Sequence, residues 1–163
     1  MIRIVVKETL KSDIDEVIIV TGHDDKKIRN SLKNLPVKYI QSKNFSNGIG
    51  NSISAGIQSL SKVIDGVIIL LGDMPKTKFN NINILINIFN QNNNDTICIL
   101  KHKGKTGNPV LFGNFFFNNL EKLSEDSGGK AIIDSNLDYV ISEEINDSSI
   151  LFDIDTPSDL QNY

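Results

Sequence analysis

Short β-branched runs recur through this sequence, each closed by a turn and followed by a stretch with helical spacing, and that alternation dictates its class of fold. The first run is DEVIIVTG at 15–22 and the second VKYIQ at 37–41. The run at 66–71, GVIILL, is the most apolar, and DTICIL follows at 95–100. PVLF at 109–112 reads as a short strand or loop edge, and residues 139–141 as a last strand. Between these runs, residues 24–35, 51–61, 80–89, 115–123 and 130–135 read as helices, as when Ile82, Leu85, Ile86 and Phe89 fall on one face. The opening MIRIVVKETLK sets Ile2, Val5, Val6 and Leu10 at near-helical spacing, although MIRIVV alone suits a strand. A closing helix is expected over 157–161, behind Thr156 as a cap. The alternation predicts an α/β fold with a mostly parallel sheet, in which ligands sit beyond the carboxyl ends of the strands.

Composition narrows the partners. A chain of 163 residues is expected to form a single domain over 1–163. A net charge of −3 offers no basic face to nucleic acid or to an anionic membrane. No stretch is long and apolar enough to cross a membrane, and the first residues lack the features of a signal peptide. One cysteine permits no internal disulfide and fits a reducing, cytoplasmic setting. Within TICIL, Cys98 reads as a buried core residue.

The loops after the strands carry the unusual residues. LLGDMP delivers Asp73, behind Gly72, at the end of the most apolar strand. A carboxylate there either holds a hard divalent cation or caps the next element. LFDIDTPSDL, at 151–160, brings Asp153 and Asp155, and strand alternation would aim both to one side. Asp159 is accounted for as the acidic first turn of a helix. In NFSNGIGNSISAGI, Gly48 and Gly50 allow close backbone approach, and Ser52 is expected to open a helix. In KGKTGNPVLF, Lys103 and Lys105 would suit a phosphate or simply a solvated hairpin tip, and Gly107, Asn108 and Pro109 are expected to turn into a strand. Asp126, Gly128, Gly129 and Lys130 form a turn opening a short helix. His23 and His102 stand alone and read as surface residues.

Taken together and in order, VTGH, N…G…S…G, LLGDMP, GxxGNPVLF, the D-x-G-x-K turn and DIDTPxDL resemble the MobA-like NTP transferase superfamily, nearest the molybdenum cofactor cytidylyltransferases. The resemblance runs from about Ile14 to Leu160. It implies a Rossmann-like three-layer α/β/α fold and transfer of a nucleoside monophosphate from an NTP, CTP favoured, to the phosphate of a molybdopterin-type acceptor. By that analogy Asp73 and Asp155 are catalytic and bind Mg2+, with Asp153 as the substitute ligand. Gly48, Ser52, Gly72 and Asp73 would meet the nucleotide. Gly107, Asn108, Pro109, Asp126 and Lys130 would meet the acceptor. Many relatives carry His in place of Asn108, and the turn usually read G-D-x-G-A-R has Glu125 for its first Gly and Lys130 for its Arg.

One family element is absent. The loop LAAGxSxRMGxxK, which follows the family's first strand, has no counterpart here, so the domain is expected to be N-terminally incomplete and to lack that strand. Neighbouring strands would then close the gap, or a partner chain or self-association would cover it, or the fold would suffer. Three functions follow: a nucleotidyltransferase, a repurposed nucleotide- or pterin-binding domain without turnover, and a nucleotidyltransferase acting on a sugar phosphate or other phosphorylated metabolite.

Overall fold

The computed structural model describes residues 1–60 and 63–154. Its elements, in chain order, are α1 (Ile2–Thr9), β1 (Ile18–Thr21), α2 (Asp25–Ser31), β2 (Lys38–Gln41), α3 (Ile49–Gln58), β3 (Gly66–Ile69), α4 (Phe79–Asn90), β4 (Ile97–His102), β5 (Lys105–Gly113), α5 (Phe117–Glu121), α6 (Gly129–Ser135) and β6 (Val140–Glu144). Short 3₁₀ turns at Phe45–Asn47, Asn114–Phe116, Leu137–Tyr139 and Ser148–Leu151 join them. The expected closing helix at 157–161 lies outside the described residues, as do Asp155 and Asp159.

The opening segment is a helix rather than a strand. Val5, Val6 and Thr9 are buried on one face, and the Thr9 hydroxyl donates to the Val5 carbonyl at 2.9 Å. The next helix, α2, is held at its start by Asp25, whose carboxylate accepts from Thr21 at 2.5 Å and from Arg29 at 2.8 Å. The most apolar helix, α4, buries Ile82, Leu85 and Phe89.

The strands form two sheets. β1 and β2 pair in parallel, Ile18 opposite Lys38 through Thr21 opposite Gln41. The second sheet has the order β3-β5-β4-β6, with β3, β4 and β6 pointing one way and β5 against them. The architecture is thus α/β with a mostly parallel sheet. The reading of 109–112 as a short strand is corrected: β5 starts at Lys105 and is hydrogen-bonded on both edges. Lys103 and Gly104 make the two-residue turn of the β4–β5 hairpin, with φ of 51° and 74°. That doubly left-handed turn matches the twist of an antiparallel pair.

Three apolar clusters cover the faces. One packs Ile57 of α3, Phe116, Leu120 and Ile132 onto Ile97, Ile99, Val110 and Phe112. The opposite face of the same strands takes Leu85 and Phe89 of α4 and Ile150 against Cys98, Leu100 and Leu111. The third joins Val6, Val17, Ile19 and Leu32 beneath β1. Helices on both faces give the expected three layers. The two sheets do not merge, however: among the described residues no strand bonds β1 to β3. Neighbouring strands have therefore not closed the gap.

Candidate functional site

Asp73 stands at the end of the β3 run. After Ile69 the chain continues through Leu70 and Leu71, turns at Gly72 and Asp73, and buries Met74 and Pro75 beneath the turn. Asp73 is partly buried, with its Oδ1 atom fully covered. Its carbonyl accepts the N–H of Ile154 at 3.0 Å, so the GDMP turn and the LFDID segment meet. Asp153, just before that bond, is exposed. Its segment is not a strand end as expected. Leu151 closes a 3₁₀ turn, and residues 152–154 run on without ladder partners, so alternation does not govern where Asp153 aims.

A polar lock holds this closing segment in place. Asp147 Oδ1 accepts from the Ser149 N–H at 3.0 Å and caps the Ser148–Leu151 turn. Its other oxygen lies 3.3 Å from Lys78 Nζ and 3.4 Å from Asn81 Nδ2, and Asn81 also donates to Ser149 Oγ at 3.3 Å. Burial pushes the Asp147 carboxyl up, but the bonds from Ser149 and Lys78 outweigh it and hold the group below the ordinary carboxylate range. Sequence reasoning missed these residues. The N-D-S-S run at 146–149, an Asx-turn composition, was the available signal.

The Gly-rich loop docks on the turn before α6. Gly48 caps α3 with φ 105° and ψ 170°, and its Cα lies against the Glu125 backbone. The Gly50 N–H donates to the Glu125 carbonyl at 2.9 Å, and Ser54 Oγ donates to the Glu121 carbonyl at 2.6 Å. Gly48 and Asp126, predicted for nucleotide and acceptor respectively, are therefore neighbours through backbone packing. Ser52 is a correction: α3 opens at Ile49, so Ser52 sits within its first turn. Ser52 and Gly72 line one common slot between the sheets. As expected, Gly128 and Gly129 open a short helix. Lys130 is exposed on it, 3.6 Å from Asp134.

Gly107, Asn108 and Pro109 lie inside β5 rather than in a turn, which corrects the sequence expectation. The Asn108–Pro109 bond is cis. A Cβ on Gly107 would come within 2.7 Å of Ile150 Cγ1, so the strand presses on the same 3₁₀ turn that leads to Ile154. Of the two histidines, His102 Nδ1 lies 3.0 Å from the Ile145 carbonyl and His23 is near Phe45, with ring centroids 6.3 Å apart.

The donor chemistry around Asp73 suits a hard cation. Among the described residues no three His, Cys, Asp or Glu side chains gather as a metal cage. Mg2+ asks for less, since one or two carboxylates suffice when phosphate and water supply the rest. Asp73 offers one such carboxylate, and Asp155 directly follows in sequence the residue bonded to its carbonyl.

This α/β/α arrangement, with Asp73 beyond the end of β3, is shared with solved proteins. Rv0371c of Mycobacterium tuberculosis, solved as a manganese complex, superposes with a TM-score of 0.82 at 18% identity over 97% of this chain and 84% of its own. A CMP:2-keto-3-deoxy-manno-octonic acid synthetase bound to CTP superposes at 0.77, with 14% identity over 99% and 84%. At these identities the likeness is one of fold. In sequence, residues 1–140 match the MobA-like NTP transferase domain, and the chain belongs to that family. A 3-deoxy-manno-octulosonate cytidylyltransferase from Fusobacterium nucleatum is 32% identical over 142 residues, which cover 86% of this chain and 51% of the relative. The chain spans about half the length of the curated relatives it matches.

Proposed function

We propose that residues 1–163 belong to one nucleotidyltransferase domain that moves CMP, or another nucleoside monophosphate, from its triphosphate to the phosphate of a molybdopterin-type acceptor with the help of Mg2+. The observation that carries this reading is the hydrogen bond from Ile154 N–H to the Asp73 carbonyl, which joins the two acidic motifs far apart in sequence. Asp73 would hold the metal with Asp155, and exposed Asp153 is the substitute ligand. When bound, Mg2+ offsets charge growing on the α-phosphate. Gly48, Ser52 and Gly72 would shape the nucleotide side, since Gly72 and Ser52 line one slot. Gly107, Asn108, Pro109, Asp126 and Lys130 would face the acceptor. An acceptor phosphate is already ionised, so the chain's task is to position it in line, and no strong general base is required.

Among the described residues no helix is long and apolar enough to cross a membrane. We place the protein in the cytoplasm, a setting that a single cysteine, Cys98, suits. A second reading keeps nucleotidyl transfer but changes the acceptor to a sugar derivative. The observation favouring it is the 32% identity to a cytidylyltransferase named for a sugar acid.

Calorimetric titration with CTP and then GTP, with and without Mg2+, tests the site, and Asp73→Asn is the decisive variant. The expected result is metal-dependent binding by the parent chain and its loss in Asp73→Asn, with an unchanged circular dichroism spectrum. Undiminished metal-dependent binding in the variant would refute the assignment. A panel of pterin and sugar acceptors then separates the two readings.

A further inference from the structure

The chain leaves the Asp73 turn through a short, tightly closed segment. The Met74 N–H donates to the Leu71 carbonyl at 3.4 Å and the Thr77 N–H to the Met74 carbonyl at 3.1 Å, so one turn follows directly on another. Met74, Pro75 and Thr77 are buried. Lys76 sits in the second turn with buried neighbours on both sides, and is itself half-buried. Its Nζ lies 3.6 Å from the centroid of the Phe152 ring. An ammonium in that position is drawn to the negative face of the ring. Lys78, two residues on, is paired with Asp147, but among the described residues Lys76 forms no ion pair that would compete for its charge.

Phe152 depends on this contact more than a core ring would. Among the described residues it joins none of the three apolar clusters, and it lines a groove of about 780 Å³. Its N–H donates to the Ser149 carbonyl at 3.2 Å, and its backbone is then extended, with φ −104° and ψ 112°. Residues 152–154 have no ladder to hold them. Two ties bind them to the Asp73 turn instead: Lys76 to Phe152, and the Asp73 carbonyl to the Ile154 N–H. A single hydrogen bond fixes a point, whereas two separated contacts fix a direction. Asp153 lies between the tied residues, and Asp155 follows the second tie in sequence.

Mg2+ demands near-ideal octahedral geometry at about 2.0–2.1 Å, so a small swing of a segment that bears a ligand is felt in metal affinity. We propose that Lys76 is a positioning residue for the metal site. By clasping Phe152 it holds the LFDID segment in the direction that brings its carboxylates to a cation shared with Asp73, and it sets the affinity for Mg2+ without touching the nucleotide. This adds a residue to the site read above as that of a nucleotidyltransferase, and the inference rests on that reading. Lys78 and Asn81 anchor Asp147 at the start of the same segment, so the exit from the Asp73 turn grips residues 147–154 along their length.

Calorimetry of CTP binding over a series of Mg2+ concentrations reads metal and nucleotide affinity separately. Lys76→Met keeps an apolar stem of similar length and removes the charge. It should raise the Mg2+ concentration for half-maximal binding by about two- to fivefold, the worth of one partly exposed cation–π contact, and leave metal-free CTP binding unchanged. Lys76→Arg, which keeps a cation over the ring, should restore the parent value. Phe152→Leu should match Lys76→Met, and the double variant should be no worse than either single one. Hydrogen exchange without any ligand gives an independent readout: the Ile154 amide should exchange faster in Lys76→Met and at the parent rate in Lys76→Arg. Unchanged Mg2+ dependence in Lys76→Met, or a lower melting temperature without a shift in that dependence, would overturn the proposal and leave the nucleotidyltransferase reading standing. Equal weakening with and without metal would overturn it too, since Lys76 would then hold the nucleotide itself. Absence of metal-dependent binding by the parent chain would instead overturn the nucleotidyltransferase reading, and the role of Lys76 with it.

Discussion

Replacing Gly48 by alanine tests how the Gly-rich loop and the Glu125 turn are joined. Gly48 has φ 105° and ψ 170°, a region open essentially to glycine alone. Adopting it with a side chain costs about 1–3 kcal/mol. The new Cβ would also overlap the Glu125 carbonyl group and lie 2.6 Å from the Asp126 nitrogen. These are backbone atoms of a turn that is itself tied to Gly50, so relief requires moving the turn, at an overpacking cost of about 1–3 kcal/mol. The expected loss is therefore about 2–6 kcal/mol against a typical total of about 5–15 kcal/mol. Gly104 is the control. Its φ is 74°, but a Cβ there meets nothing within 4 Å, so Gly104→Ala should cost only the backbone strain, about 1–2 kcal/mol. Urea unfolding of both variants gives the comparison, and differential scanning should show a drop of about 2–4 °C per kcal/mol. Equal, small losses at the two positions would mean that the Gly-rich loop does not rest on the Glu125 turn, and the neighbourhood of Gly48 and Asp126 would have to be abandoned.

Other expectations follow from the polar lock and the core thiol. Asp147→Ala removes the cap of the Ser148–Leu151 turn and should cost about 1 kcal/mol at neutral pH. Because the folded pKa of Asp147 lies below the unfolded value, its contribution is present above the ordinary carboxylate range and fades as pH falls through the folded pKa. The stability gap between parent and variant should accordingly narrow below about pH 4, and a gap that widens on acidification would contradict the assignment. Cys98 is buried in β4, and burial alone pushes its thiol up to about 12. A disulfide reagent at mild alkaline pH should label it only as fast as the chain opens, with rapid labelling in denaturant; rapid labelling of the folded protein would refute its burial.

The candidate site was partly legible in the residues. An apolar run that stops at Gly72 and presents Asp73 is a local pattern, and the structure keeps it at the end of β3. The D-S-G-G-K turn opens α6 as its composition requires. Ser52 was misplaced because a glycine cap at Gly48, with no side-chain cap bond to advertise it, starts α3 earlier. The Asp147 lock was missed because its partners, Lys78 just before α4 and Asn81 within it, are far away along the chain. No local signal reports a contact of that range.

By itself the sequence determined the order of helices and strands, since 3.6-residue and two-residue periodicities are written into neighbouring side chains. It also determined which loops hold carboxylates and glycines. Tertiary structure alone decided the direction of β5, the depth at which Gly107 to Pro109 are buried, and the open slot between β1 and β3. Each of these depends on which distant edge or face a segment meets. Strand edges present the same N–H and C=O groups whatever their side chains, so pairing is settled by what packs above and below and not by the residues of one strand.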